Sequence, residues 1–273
     1  MPVSMVNFLF WNINRRPLES LVAEIASSQR VDLLMLAECD IHPTALLDIL
    51  NAARPMFRYI PVLSRGFELF ATFSPDFLTP LYDSDKITIQ RLSLPARLDV
   101  LLCIVHLPSK LRWSGESQAL ECTRLARIIR EVEARVRHER TVLVGDLNMN
   151  PFEAGVVGAA GFNATMARQV ASRGSRSVQG ERYPFFYNPM WGHFGDHRGN
   201  AGGSYYYDSG QHVNYYWNVF DQVLVRPELI PRFPVEELRI IASTPSRTLL
   251  SQQGRPDGKV GSDHLPLVFK LDL

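Results

Sequence analysis

Along the chain, short runs rich in β-branched and aromatic residues are separated by turn-forming clusters, while three stretches carry apolar residues at helical spacing. The strand pattern covers Val6 to Ile13, Val31 to Glu38, Tyr59 to Leu63, Glu68 to Phe73, Lys86 to Leu92, Leu98 to His106, Thr141 to Asp146, Val219 to Val225, Leu238 to Ser243 and Leu265 to Leu271. Helical spacing begins at Pro17 and puts Leu18, Leu21, Val22 and Ile25 on one face; it returns from about Pro43 to Ala53. It is longest from about Glu116 to His138, where Leu120, Leu125, Ile128, Ile129, Val132 and Val136 form the apolar stripe and the intervening arginines the solvated side. The runs LLMLAE, VLLCIVH and TVLVGD are apolar almost throughout, which requires burial on both faces, between another sheet and a helix layer. The pattern therefore predicts an α/β sandwich of two sheets with outer helices. No segment repeats with the period of about 20 to 50 residues that marks solenoids and propellers, so residues 1–273 read as a single domain.

One stretch breaks the alternation. From about 165 to 218 the chain carries Arg168, Arg173, Arg176 and Arg182, then 12 aromatic residues between Tyr183 and Trp217, with Gly195, Gly199, Gly202 and Gly203 among them. An insertion of that length is functional or disordered in most compact domains, and its aromatic content argues against disorder.

Composition narrows the class without choosing the activity. The chain has 273 residues, 46% hydrophobic and 21% charged, with a formal net charge of +1, values that exclude collagen, coiled coil and intrinsic disorder. A near-zero charge also disfavours binding DNA as a basic coat, leaving any attraction to polyanions to a local patch. Cys39, Cys103 and Cys122 are odd in number and show no metal-ligand spacing, which favours a reducing compartment. The first residues lack the features of a secretory leader, and no apolar stretch reaches the roughly 18 residues of a membrane span. A cytoplasmic protein without stable membrane association is expected, its oligomeric state open.

Polar groups collect where predicted strands end: Asn12 and Asn14 in WNIN, Glu38 after LLMLA, Asp146 and Asn148 in GDLN, and Asp263 and His264 in SDHLPL. Any one could be a mere strand terminator. If the strands end on one edge of a sandwich, however, Asn12, Glu38, Asp146, Asn148, Asp263 and His264 surround one cavity. Oxygen donors and amides with a single imidazole suit Mg²⁺, or Mn²⁺ in its place, better than zinc, and Glu38 is the foremost ligand candidate. Such a metal would neutralise a phosphate oxygen while a carboxylate handles the attacking water and an imidazole meets the developing charge, which is phosphate-ester hydrolysis.

WNIN, Glu38, GDLN, FDQVLV at Phe220 to Val225 and SDHLPL, in that order, resemble the signatures of the endonuclease/exonuclease/phosphatase superfamily, whose members are similar to pancreatic DNase. The resemblance runs from residue 7 to 270 and implies a DNase-I-like four-layer αββα sandwich with Mg²⁺-dependent phosphoesterase chemistry. It further implies that Asn12 and Glu38 lie at the metal with Asp263 near it. Asp146 would activate the water and Asn148 hold the scissile phosphate. Asp221 would orient His264, and His106 would be the second histidine of the DNase-like, sphingomyelinase-like and deadenylase-like branches. A structural salt link is the plain alternative for Asp221 with His264, and a strand-capping histidine for His106.

Substrate choice is less constrained. The segment Asn218 to Val225 departs from the PAWCDR-like segment of inositol polyphosphate 5-phosphatases. His106, the residues Met149 to Glu153 and Arg15 and Arg16 after WNIN depart from abasic-site endonucleases. Aromatics interleaved with Arg168, Arg173, Arg176, Arg182 and Arg198 can stack on bases and contact phosphates, favouring a nuclease with nucleic acid as substrate. The same aromatics could instead pack the insertion onto the sandwich or form an interface. A phospholipid or sphingomyelin-type phosphodiesterase, a small-molecule phosphatase and a non-catalytic binding member are the other readings.

Overall fold

A computed structural model describes residues 5–52, 56–64, 66–196 and 201–273. Ala53, the expected end of the second helix, and Arg198 and Gly199 of the insertion lie outside those residues. The chain opens with β1 (Met5–Asn12), α1 (Glu19–Ser28), β2 (Leu33–Ala37), α2 (Pro43–Leu50), β3 (Arg58–Ile60) and β4 (Phe67–Ala71). Then follow β5 (Leu78–Asp83), β6 (Ile87–Leu92), β7 (Val100–His106), α3 (Gly115–Val136), β8 (Thr141–Asp146), α4 (Ala154–Val157), β9 (Ala164–Thr165) and α5 (Arg168–Ala171). Next come β10 (Ser175–Val178), β11 (Glu181–Pro184), β12 (Phe186–Tyr187), β13 (Tyr205–Tyr207) and β14 (Tyr216–Asn218). The last strands are β15 (Asp221–Val225), β16 (Arg239–Ile240) and β17 (Leu267–Asp272). No helix among the described residues is long and apolar enough to cross a membrane.

The chain divides into two compact units, and the insertion is shared between them. One unit comprises Met1–Leu78, His193–Asn218 and Pro234–Leu273. Its six-stranded sheet has the order β16-β17-β1-β2-β4-β3, with β1 and β2 parallel and the remaining pairs antiparallel. Alternation along β1 sends Leu9 and Trp11 to the side of Leu21, Val22 and Ile25 of α1, while Phe8 and Phe10 point the other way and are equally buried. Phe8 stacks on Phe269 of β17 at 4.8 Å. The β1-α1-β2 crossover sets the parallel register in which Asn12 pairs with Ala37, one residue before Glu38.

The second unit comprises Thr79–Gly192 and Val219–Phe233. Its seven-stranded sheet has the order β5-β6-β7-β8-β15-β12-β9. Helix α3 makes the crossover between parallel β7 and β8; it starts at Ser114, whose Oγ accepts from Ser117 N–H (3.2 Å), and ends at Arg137 in the left-handed region (φ 62°). Cys122, Leu125, Ile129 and Val132 of α3 pack on Leu101, Cys103 and Val105 of β7 and Leu143 of β8. Leu120 is a correction: it is 72% exposed, because it sits about 200° around the helix from Cys122. The buried face instead carries Gln118, Glu121 and Glu133.

Glu133 explains why the helix tolerates a carboxylate there. Arg226, 2% exposed, donates to Glu133 through Nε (2.8 Å) and an NH2 group (3.0 Å), and its NH1 group donates to the carbonyls of Pro184 (3.1 Å) and Phe185 (3.0 Å). Thr141 Oγ1 donates to the same carboxylate at 2.6 Å. The pair is buried and multiply hydrogen-bonded, so it ties α3, the end of β15 and the chain before β12 together.

Two further boundaries differ from the sequence pattern. Strand β5 was not anticipated because Pro80 interrupts it; it is an edge strand, where a missing backbone donor is tolerated. The expected strand Leu238 to Ser243 contracts to β16, since beyond Ile240 the chain turns through Ala242 to Leu249.

Candidate active site

In the seven-stranded sheet three candidate residues stand side by side. Parallel pairing of β7 with β8 aligns His106 with Asp146, and antiparallel pairing of β15 with β8 aligns Asp221 with the same Asp146. Asp146 is 1% exposed; its Oδ2 lies 3.8 Å from His106 Nε2, and its Oδ1 accepts from Asn148 N–H at 2.8 Å. Asp221 is wholly buried, whereas the His106 side chain is 24% exposed.

The end of β8 is built for close approach to β7. Gly145 has φ 150°, and a Cβ there would lie 1.9 Å from the Val105 carbonyl oxygen, so only glycine lets β7 and β8 run this close. Asn148 takes the left-handed region (φ 49°), with its Nδ2 donating to Leu107 O (2.8 Å). Gln118 reaches from α3 to donate to Asn148 O (3.1 Å) and Pro108 O (3.0 Å). Behind them Gln222 Nε2 donates to Met149 O (2.6 Å) and Val219 O (3.0 Å), and its Oε1 accepts from Asn188 (2.8 Å). Asn150 Oδ1 accepts from Val219 N–H at 2.9 Å. This amide network fixes the turns on either side of Asp146 and Asp221. The sequence signalled it only as polar residues in apolar surroundings, Gln118 on a helix stripe and Gln222 inside FDQVLV.

In the six-stranded sheet the candidates lie at or just beyond strand ends. Asn12, 1% exposed, donates through Nδ2 to Glu38 Oε1 (3.3 Å), and its Oδ1 accepts from Asn14 N–H (3.0 Å). Glu38 (φ 46°), Asn14 (φ 47°) and Arg15 (φ 55°) all occupy the left-handed region, and Arg15 N–H donates to Glu38 O at 2.7 Å. Two interlocked turns thus aim the Glu38 carboxylate. Burial pushes the neighbouring Cys39 thiol up to about 12, keeping it protonated and leaving oxygen as the donor type here.

Ser262 joins the last motif to the first. Its hydroxyl donates to Asn12 O (2.8 Å), accepts from His264 N–H (3.2 Å) and lies 3.1 Å from Asp263 Oδ1. Trp11 Nε1 donates to His264 O (2.8 Å). His264 is 6% exposed; it forms a β-bridge with Tyr205, whose ring centroid lies 4.6 Å from the imidazole. Asn12 and Glu38 are therefore in contact, and Asp263 and His264 are held to the same strand end. Ser262 was legible as part of the SDH motif, whereas Tyr205 was legible only as one of the aromatic residues of the insertion, with nothing local to link it to His264.

No curated protein matches this chain in sequence. Among solved structures, truncated Caenorhabditis elegans TDP2 is similar with a TM-score of 0.57 at 15% identity, covering 98% of each chain. D. rerio TDP2 complexed with single strand DNA product gives 0.55 at 14% identity, covering 99% of this chain and 100% of that one. The human Nocturnin catalytic domain with bound sulfate anion gives 0.54 at 14% identity, covering 97% and 93%. At such identities the likeness shows the fold: two mixed sheets with flanking helices, the DNase-I-like four-layer arrangement expected from the sequence. The sequence pattern of the endonuclease/exonuclease/phosphatase family matches residues 9–264, and the chain belongs to that family.

Proposed function

We propose that the chain is a Mg²⁺-dependent phosphodiesterase, with Mn²⁺ able to substitute, and that its substrate is nucleic acid. The observation that carries the reading is the alignment of His106, Asp146 and Asp221 on three hydrogen-bonded strands, in a chain whose Asn12–Glu38 pair offers hard oxygen donors. Glu38 and Asn12, with Asp263, would hold the cation; when bound, it supplies charge neutralisation at a phosphate oxygen. Asp146, buried and oriented by Asn148 N–H, takes the proton of the attacking water. Asn148, its amide fixed on Leu107 O, contacts the scissile phosphate. His106 and His264 would donate hydrogen bonds to the phosphoryl oxygens as charge develops.

Nucleic acid is preferred because D. rerio TDP2, similar over 99% of this chain, was captured with single strand DNA product, and because the 165–218 insertion displays exposed tyrosines. The test compares labelled single- and double-stranded DNA, RNA, sphingomyelin and inositol phosphates in the presence of Mg²⁺. Cleavage of a nucleic acid, abolished by EDTA, is expected. Turnover confined to sphingomyelin or inositol phosphates would assign the chain to a different branch of the family.

A further inference from the structure

In the second unit a cleft of about 480 Å³ opens between the C-terminal half of α3 and strand β11. Arg130, Glu133 and Arg137 line it from α3 at i, i+3 and i+7, which is one face of the helix, and Arg182 lines it from β11. Glu139 and Glu228 also border it. The cleft lies at the end of the sheet away from the candidate catalytic groups. Glu133 is bonded to Thr141, the first residue of β8, whereas Asp146 is the last, and five residues at a strand rise of about 3.3 Å put about 17 Å between the two ends.

Charge in the cleft is not balanced. Arg226 and Thr141 engage the Glu133 carboxylate, and Arg140 stands 3.7 Å from that of Glu228, so two of the three lining carboxylates have partners. Among the described residues, no carboxylate lies within ion-pair distance of Arg130, Arg137 or Arg182. Three guanidinium groups therefore meet only the Glu139 carboxylate, a local positive excess in a chain whose net charge is +1. Ser175 Oγ accepts from Arg182 Nε (2.7 Å), which orients that guanidinium in advance and leaves its two NH2 groups available.

Guanidinium groups converging on a concave site suit anions that offer several oxygens, because each planar fork can bind two of them at once. No Phe, Tyr or Trp lines the cleft, so a base would find no such ring to stack on and recognition falls to charge. Arg130 and Arg137 are separated by about 10 Å along the helix axis, which matches a row of phosphates better than a single ion.

We infer that this cleft is a second anion site, separate from the catalytic edge, and that it takes a short polyphosphate whose oxygens are bound by Arg130, Arg137 and Arg182. The test is calorimetric titration of the full chain with tripolyphosphate in excess EDTA, which keeps metal-bridged binding out of the signal. The wild-type protein should bind one equivalent saturably, more tightly than pyrophosphate, with inorganic phosphate weakest. Arg130→Gln/Arg137→Gln should bind at least about tenfold more weakly. Arg130→Lys/Arg137→Lys keeps the charges but loses the forks, and its affinity should fall between the two; it also decides the matter if the glutamine variant does not fold. Arg127→Gln/Arg135→Gln removes the same charge from α3 outside the cleft and should bind as the wild type does. Absence of saturable binding, unchanged affinity in Arg130→Gln/Arg137→Gln, or an equal loss in Arg127→Gln/Arg135→Gln would overturn the inference. So would a short oligothymidylate that binds more tightly than tripolyphosphate and is lost in the same variant, since the cleft would then be a track for a nucleic-acid backbone. Binding is read without turnover, so each of these results stands apart from the phosphodiesterase reading.

Discussion

His106, Asp146 and Asp221 are positioned by strand register in the seven-stranded sheet, so the ladder that makes the sheet also aligns the side chains. In the six-stranded sheet, by contrast, Glu38, Asp263 and His264 sit on turns, aimed by left-handed residues at 14, 15 and 38 and by side-chain bonds from Ser262 and Trp11 across about the whole chain. Register-held groups share the stability of the sheet and move only if it unfolds. Turn-held groups depend on individual contacts, each worth about 1 kcal/mol, so one substitution can displace them and leave the fold intact.

The largest expected effect tests the rigid side. Arg226→Ala leaves the Glu133 carboxylate buried without its main partner, and chemical denaturation should report a loss of about 3–5 kcal/mol. A loss below about 1 kcal/mol would mean that water or a rearranged partner satisfies Glu133, and that this sheet is held otherwise.

Asp146→Asn comes next: the isosteric amide keeps the fold but removes the proton acceptor, so kcat should fall by on the order of 10² or more with little change in melting temperature. A parallel fall in stability would show that the carboxylate is structural instead.

Ser262→Ala probes the tethered side. Removing the hydroxyl that joins Asn12 O to His264 N–H should cost about 1 kcal/mol of stability, yet lower kcat by about tenfold through a displaced His264. If kcat is untouched, the Tyr205 bridge and the Trp11 bond suffice to place the histidine and the contrast between the two sheets weakens.

The smallest effect is with pH. Burial holds the imidazoles of His138 and His193 below the ordinary histidine range, so the unfolded chain binds protons that the folded chain does not. Their contribution is intact above about pH 6.5, the ordinary histidine value, and is lost as pH falls below it towards the lowered folded values. Melting temperature should therefore decline on acidification from pH 7 to 5, and His138→Gln/His193→Gln should flatten that decline; an unaltered profile would place the acid sensitivity in other groups.

Much of this was legible in the chain. Strands β1, β2, β6, β7, β8, β15 and β17 were marked by apolar runs because both faces of each are buried, and six of the eight candidate site residues could be read from strand-end motifs. His106 and Asp221 needed the family resemblance to acquire a role. What could not be read depended on tertiary partners. Leu120 looks like part of a helical stripe but faces solvent, whereas Glu133 and Gln118 look like surface residues and are buried because Arg226 and two loop carbonyls lie opposite them. The short strands β9 to β14 carry no periodicity long enough to detect. The seat of Tyr205 on His264 joins residues 59 apart and has no local signature.

On the proposed function, oxygen donors around Glu38 hold a cation that phosphodiester hydrolysis requires. The measurement that tests it most directly is the rate of bis-p-nitrophenyl phosphate hydrolysis as Mg²⁺ or Mn²⁺ is titrated, in wild-type protein and in Glu38→Gln, with metal affinity read by calorimetry on the same samples. A saturable metal dependence is expected, with no turnover in excess EDTA and, in Glu38→Gln, a severe loss of metal affinity with an unchanged melting temperature. Full turnover in EDTA, or wild-type metal affinity in Glu38→Gln, would contradict it.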